Sequence, residues 1–320
     1  MTEFELIERF FTRPRVDAIV GNGDDCAVIA PAAGHAFAVT TDSLIEGRHF
    51  LPTIDPLKLG RRAVNVNLSD LAAMGAAPRY ALLSLTLPQI DEYWISRFSD
   101  GLWSALDEYG VELIGGNTTR GPLAIAITAF GEVPPGAALM RSGARPDDEL
   151  WVSGALGDAG WALYCMIGDI KAEASAAQIA KYETPQARVA LGIALRGVAS
   201  SCIDVSDGLL SEAAHIARAS AVTVEIDFAA IPTGLAGILQ TGQHAVKACH
   251  CLLSTGDAYE LLFTAPRNRH DHVLGLLSEH RLDGACIGRV LEQRQGEPVR
   301  VLDAQLQKMD IKISGWDHFA

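Results

Sequence analysis

The sequence predicts an α/β protein of mixed α+β character, built as two α/β domains. Three observations predict it. The chain has 320 residues, long for a single core. Strand-length apolar runs alternate with amphipathic helical stretches in both halves. Between the halves lies "VPPGAALMRSGARPDDE", with three prolines and two glycines, which sets the boundary after residue 138 and gives domains 1–138 and 139–320.

In chain order, Thr2 caps a first helix with Phe4, Ile7, Phe10 and Phe11 on its buried face. Strands are expected over 26–30 and 36–41. Asp55 followed by Pro56 starts a helix that Gly75 stops, with Leu59, Ala63, Val66, Ala73 and Met74 facing the core. "RYALLSLTL" is a strand ended by Pro88. Asp91 opens a helix reaching Tyr109, closed by Gly110. "VELIGG" and "LAIAITAFGEV" are two more strands. In the second half "LWVSG" is a buried strand, and "GALGDAGWALYCM" is a glycine turn entering a helix. Further helices fit 185–199, 207–219 and 269–280, and strands fit 222–227, 260–265, 285–290 and 299–302.

Composition excludes several classes. A formal net charge of −13 with no basic run argues against nucleic acid as a partner. The six cysteines follow no disulfide framework and read as reduced thiols; "CHC" at 249–251 has no second ligand pair at zinc spacing. The N-terminus lacks the basic start and long apolar stretch of a signal peptide, and no run is apolar enough to span a membrane. Cytoplasm is the expected location. There is no G-x-S-x-G, H-E-x-x-H, C-x-x-C or phosphate-binding G-x-x-x-x-G-K-[ST], and "GNGDDC" lacks the third glycine of the dinucleotide fingerprint.

What remains is a set of acids. "GNGDDCAVI" places two aspartates before an apolar run, where a turn needs only one. Asp25 precedes a strand, Asp42 in "TTDSL" ends one, and Asp70 in "NLSDLAAMG" lies on an otherwise apolar helix. An acid there is costly unless it is paired or metal-bound. Singly, each aspartate is explained as a cap or as an ion pair, Asp70 with Arg62 or Arg79. As a set, with Thr40 and Thr41 adding oxygens, they suit Mg²⁺. In "IDVSDGLLSE", Asp204, Ser206 and Asp207 stand at the mouth of a helix, which favours anions. An N-cap accounts for one of them. Two aspartates would repel a phosphate unless a divalent metal bridges them, which points to a metal–nucleotide complex. "IGGNTTRG" brings glycines that let a ligand approach the backbone. Arg141 and Arg145 are either contacts for a polyphosphate or a solvated basic face. Phosphoryl transfer needs positioning and charge neutralisation and no covalent group from the protein.

Together "GDDCA", "TTDSL", "HFLP", "VNLSDLAAMGA", "GGNTTRGP", "RSGARPDD" and "DVSDGL", in this order over nearly the whole chain, resemble the thiamine-monophosphate kinase family. That family is part of the aminoimidazole-ribonucleotide synthetase-like ATP-binding superfamily. The resemblance implies that ATP and thiamine phosphate give ADP and thiamine diphosphate by direct in-line transfer, assisted by several Mg²⁺ ions. It implies Asp25, Thr40, Thr41, Asp42, Asp70, Asn117, Asp204 and Asp207 as metal ligands. Gly116, Asn117, Arg141 and Ser206 are implied as ATP contacts, and His49, Asp257 and Trp316 as thiamine phosphate contacts. An aromatic face such as Trp316 suits a cationic thiazolium. No residue is implied as a covalent catalyst. The resemblance further implies a homodimer in which the N-terminal mixed sheets pair, with the active site in a cleft between the N- and C-terminal domains.

Two departures bear on this. Asn117 stands where the family has Asp in "GGDTTR", keeping an oxygen donor without the charge. "TGDAYEL" stands for "GGEDYEL", so Asp257 shortens a glutamate and Ala258 removes an acid. Two other readings are an ATP enzyme of the same superfamily acting on another acceptor, and a non-catalytic binder of nucleotide or thiamine phosphate. A selenium or sulfur route would call for a Lys close to Cys26, and none is near in sequence.

Overall fold

The structure, a computed structural model, describes residues 2–14, 17–311 and 315. The chain forms two compact units, Met1–Leu71 with Ala76–Gly136, and Ala72–Gly75 with Ala137–Ala320.

In the first unit, helix α1 (Glu3–Phe11) begins at a capping box. The Thr2 hydroxyl accepts the Glu5 N–H at 3.3 Å, and the Glu5 carboxylate accepts the Thr2 N–H at 2.7 Å. Leu6, Phe10 and Phe11 form its buried stripe. Phe4, expected inside, is 80% exposed: it sits in the first turn and overhangs the mouth of a cavity. Residues 26–30 do not form the expected strand. They make one isolated bridge, Val20 with Val28, because no neighbouring strand continues the ladder.

Strand β1 (Ala36–Ile45) is followed by α2 (Pro56–Ala73), β2 (Ala77–Leu87), α3 (Glu92–Tyr109), β3 (Glu112–Arg120) and β4 (Ala124–Val133). Asp91 caps α3 by accepting the N–H groups of Tyr93 and Trp94. Gly60 and Gly101 let α2 and α3 touch backbone to backbone. A Cβ on Gly60 would lie 2.2 Å from the Phe98 carbonyl oxygen, and one on Gly101 1.9 Å from that of Leu57. The sheet runs β1-β4-β2-β3, with β2 and β3 parallel and the other pairs antiparallel. One face carries Leu44, Ile125, Ile127, Leu83 and Leu85, all buried. The other carries Val39 (57% exposed), Ile45 (45% exposed), Thr41, Ser43, Ser84, Asn117 and Thr128.

The second unit contains β5 (Asp148–Val152), α4 (Asp158–Met166), α5 (Ala176–Glu183), α6 (Val189–Ala194), β6 (Ser201–Asp204), α7 (Leu209–Ser220) and β7 (Thr223–Asp227). Then come α8 (Ala236–Thr241), α9 (Ala245–Ser254), β8 (Leu261–Pro266), α10 (His270–Glu279), β9 (Ala285–Leu291) and β10 (Val299–Leu302). Its sheet has the order β10-β7-β9-β5-β8-β6, antiparallel except between β10 and β7. A core of Leu150, Val152, Ile203, Leu209, Ala213, Ile226 and Leu262 joins α7 to this sheet. The helix expected over 185–199 spans only Val189–Ala194, because residues 185–188 form the loop that aims Arg188 at Glu260. "CHC" lies in α9, all six cysteines are free, and burial pushes the Cys251 thiol up to about 12. Among the described residues, no helix is long and apolar enough to cross a membrane.

Candidate functional site

In the first unit, β1 and α2 assemble one polar surface. Thr40 and Asp42 share a face of β1 because side chains alternate along a strand. Asn67 and Asp70 share a face of α2, being three residues apart. The two faces meet. The Thr40 hydroxyl donates to the Asp70 carboxylate, and Asn67 Oδ1 accepts the Asp42 N–H at 2.9 Å. Asp42 is exposed and Asp70 half-buried, so both are reachable by a cation. Thr41 points to the opposite face. Its hydroxyl donates to the Ile127 carbonyl at 3.1 Å and accepts from Thr128 at 3.1 Å, which takes it away from Asp42 and Asp70. Arg79, one partner considered for Asp70, instead donates to Asp17 at 2.6 Å.

A second group stands at the other edge of the sheet. The turn carrying Asp24 and Asp25 faces β3 across a cavity of about 1060 Å³. Gly116 and Asn117 line the cavity, over a floor that includes Leu82, Leu113 and Ile114. Gly116 (φ 153°) is required by its neighbouring strand, since a Cβ there would sit 1.8 Å from the Leu83 carbonyl oxygen. The ladder register sets Asp42, Ile127, Leu83 and Gly116 in one row. That row crosses three strand spacings, roughly 14 Å. Within one copy of the sheet, Asp25 and Asn117 are therefore not brought to Thr40, Asp42 and Asp70.

His49 lies half-buried in the loop between β1 and α2. Its Nδ1 accepts the Ile45 N–H at 3.0 Å, so the ring proton belongs on Nε2. Arg62, 1% exposed, donates to the His49 carbonyl at 3.2 Å and holds the loop from below.

In the second unit the β6–α7 turn carries Asp204 (buried), with Ser206 and Asp207 half-buried. Gly208 has φ 126°, and its Cβ would lie 2.8 Å from Ser254 backbone, so only glycine fits. The loop 255–259 is clamped on this turn. Asp257 N–H donates to the Ser206 carbonyl and Tyr259 N–H to the Val205 carbonyl, both at 2.9 Å. Asp257 (φ 67°) and Tyr259 (φ 51°) are both left-handed, a strain that the clamp sustains. Asp204, Ser206, Asp207 and Asp257 are thus one cluster. Gly315 packs on the same turn, its Cβ position 3.1 Å from the Asp207 carbonyl oxygen. Trp316 lies outside the described residues. Arg141 is exposed on the segment before β5.

Two residues of this region were not singled out in the sequence. Glu212, 2% exposed, accepts the Asp207 N–H at 3.1 Å through Oε1, while Oε2 has no partner among the described residues. Burial foremost, with the charges of Asp207 and Asp204, pushes its carboxyl up to about 8. An acid on the buried stripe of a helix was the available signal, as at Asp70. Glu260, 1% exposed, accepts from Arg188 Nε at 2.7 Å, Lys181 at 3.1 Å and Ser153 at 2.6 Å.

Among the described residues no three acids, histidines or cysteines converge enough to hold an ion by themselves. The chemistry nonetheless fits Mg²⁺. The donors are all oxygen, and a buried carboxylate oxygen without a partner, facing two aspartates, is what a divalent cation stabilises.

Residues 23–133 match the family described as AIR synthase related protein, N-terminal domain, and residues 145–300 its C-terminal domain counterpart. The chain is 42% identical over 334 residues to the thiamine-monophosphate kinase of Escherichia coli (strain K12), covering 99% of this chain and 98% of that one. A crystal structure of thiamine-monophosphate kinase from Stenotrophomonas maltophilia K279a superposes with a TM-score of 0.82 at 40% identity, covering 90% of this chain and 92% of that one. AaThiL complexed with AMPPCP and TMP gives 0.76 at 32% identity, covering 91% and 89%. The hydrogenase maturation protein HypE, at 22% identity and a TM-score of 0.78, shares the fold alone. The chain belongs to the thiamine-monophosphate kinase family.

Proposed function

We propose that the protein transfers the γ-phosphoryl group of ATP directly and in line to thiamine monophosphate, giving ADP and thiamine diphosphate. The observation that carries this reading is the clamped turn of the second unit, where Asp204, Ser206, Asp207 and Asp257 gather at the start of α7. Ser206, Gly116, Asn117 and Arg141 bind the nucleotide. Asp257, Trp316 and His49 bind thiamine phosphate, His49 through Nε2–H, with its ring oriented by the Ile45 amide.

The proposed Mg²⁺ ligands are Asp25, Thr40, Thr41, Asp42, Asp70, Asn117, Asp204 and Asp207; Thr41 can contribute only its main-chain oxygen on the Asp42 side. Mg²⁺ when bound neutralises and orients phosphate oxygens. The chain holds the acceptor phosphate and the nucleotide in register and supplies no nucleophile.

The protein acts as a homodimer in the cytoplasm. The open face of the first unit's sheet, with Val39 and Ile45 exposed among small and hydroxyl side chains, supports self-pairing. Packing two such faces about a two-fold along the strands would also set the β3 edge of one copy over the β1 edge of the other. The acids that one sheet keeps apart would then meet.

The test is thiamine diphosphate formation and ADP release by purified protein, with Mg²⁺ titrated and free thiamine as the control acceptor. Absence of product from thiamine phosphate at every Mg²⁺ level would refute the proposal.

A further inference from the structure

The Asp207 main chain is held by a side chain five residues further on. Glu212 lies in the first turn of α7, and helix side chains lean back toward the N-terminus. It therefore reaches the turn before the helix, where its Oε1 accepts the Asp207 N–H at 3.1 Å. Its own N–H donates to the Gly208 carbonyl at 3.2 Å, which anchors it from the other end. Gly208, the N-cap, has no side chain for the free amides of the helix mouth, so Glu212 takes over part of a cap's task. Loop 255–259 covers the same turn backbone to backbone. A Cβ on Gly256 would lie 1.9 Å from the Ser206 carbonyl oxygen and 3.2 Å from Asp207 Cα. Asp207 is thus fixed in its main chain and only half-buried.

A cap needs one oxygen, and Glu212 has two. Oε2 is closed off from solvent and has no hydrogen-bond partner among the described residues, in a residue 2% exposed. A buried carboxylate oxygen left bare is costly, and capping alone does not call for it. The same helix face offers no donor at Leu209 or Ile216, one turn to either side, since both belong to the apolar core. Ionised aspartates at 204 and 207 only accept. What can satisfy Oε2 comes from outside the chain, as a cation or as water. A direct bond to an ion shared with both aspartates is not the arrangement here, because among the described residues no three acids converge enough to hold one. Mg²⁺ keeps several of its waters, and a water bound to it is a strong donor. An acceptor anchored on the amide of a ligating aspartate suits such a water.

We propose that Glu212 is the positioning residue for the cation that Asp207 binds: Oε1 fixes the Asp207 main chain, and Oε2 accepts a hydrogen bond from a water held by that Mg²⁺. The proposal rests on the Mg²⁺-dependent reading above and adds Glu212 to it.

Mn²⁺ is the probe, titrated into the nucleotide-free full chain with the free ion read by electron paramagnetic resonance. Wild type, Glu212→Gln, Asp207→Asn and the double variant are compared. Glu212→Gln still offers an oxygen to the Asp207 amide but puts an NH₂ group where Oε2 stands, so the turn keeps its cap and the water loses its acceptor. One Mn²⁺ site should weaken roughly tenfold, the scale of losing a group that orients a metal's ligands. The double variant should lose no more than Asp207→Asn alone, because the two residues serve one ion. In turnover, Glu212→Gln should raise the Mg²⁺ concentration for half-maximal rate about tenfold, more than it lowers kcat. Unchanged Mn²⁺ affinity in Glu212→Gln would overturn the proposal and leave Glu212 a cap alone. So would losses that add in the double variant, which would place Glu212 at another ion. If Glu212→Gln melts early, wild type carries the test. The Glu212 carboxyl carbon should shift in NMR as Mg²⁺ is added, and a signal that stays put at saturation would overturn the proposal. Wild type that shows the expected Mn²⁺ pattern yet makes no thiamine diphosphate would sink the kinase reading and leave the role of Glu212 standing.

Discussion

Glu212 and Glu260 are equally buried, at 2% and 1% exposed, in the same unit, and their acidities move in opposite directions. Burial raises both. At Glu260 it is outweighed by the Arg188 hydrogen bonds and the charges of Arg188 and Lys181, so the carboxyl ends below the usual range. At Glu212 burial is met only by backbone N–H groups, that of Asp207 foremost, and by two neighbouring aspartates, and the carboxyl ends at about 8. Burial alone does not say what an acid is for; its partners do. Glu260 is a finished internal ion cluster beneath the loop that presents Asp257. Glu212 is half of an interaction, beside the acids proposed to hold Mg²⁺.

The largest expected effect breaks the finished side of this comparison. Arg188→Met leaves the buried Glu260 carboxylate with Lys181 and Ser153 and removes its bidentate partner, which should cost about 3 kcal/mol in denaturant unfolding. A loss below about 1 kcal/mol would mean that Arg188 is not what holds Glu260. On the other side, Asp207→Asn should lower turnover roughly a hundredfold or more while the melting curve stays in place. Near-normal turnover would remove Asp207 from the proposed ligand set.

The pH dependence should differ in sign. Glu212 has a raised folded pKa, so in chelator its stabilising contribution is complete below the unfolded value of 4.5 and is lost as pH rises to about 8. Glu260 has a lowered one, so its contribution is present above 4.5 and is lost as pH falls below it. Glu212→Gln should abolish the alkaline decline, on the order of a few kcal/mol across that window. Mg²⁺ added to wild type should shrink the same decline, as read by melting temperature from pH 5 to 9. A slope unaffected by either would contradict a raised, half-satisfied Glu212 carboxyl. The smallest effect concerns His49: nitrogen NMR should report the Nε2–H tautomer in wild type and a mixture in Arg62→Met, whose loop loses its buried support.

Much of the fold was legible because local chemistry is strong at its boundaries. Asp91 and Gly110 bracket α3, and Gly75 (φ 63°) stops the chain just past α2. The 26–30 segment misled because its alternation is strand-like while its ladder partner is missing, a property of the neighbourhood. The glycines of "IGGNTTRG" leave room for a ligand, and Gly116 is in addition demanded by the Leu83 carbonyl of the next strand, which the sequence does not show.

The sequence by itself determined the acids and their order, the helix mouth at 206–208, the α/β alternation and the family resemblance, since all of these rest on residue type and short spacing. Only the tertiary structure decided that Thr41 turns away from Thr40 and Asp42, that Asp25 and Asn117 sit across the sheet from them, and that Glu212 keeps one carboxylate oxygen without a partner among the described residues where Glu260 has both bonded. These are matters of strand register and of residues 72 and more apart in the chain meeting in space, as Arg188 and Glu260 do. Short-range pattern carries no record of them, because which distant partner arrives depends on how every intervening element packs.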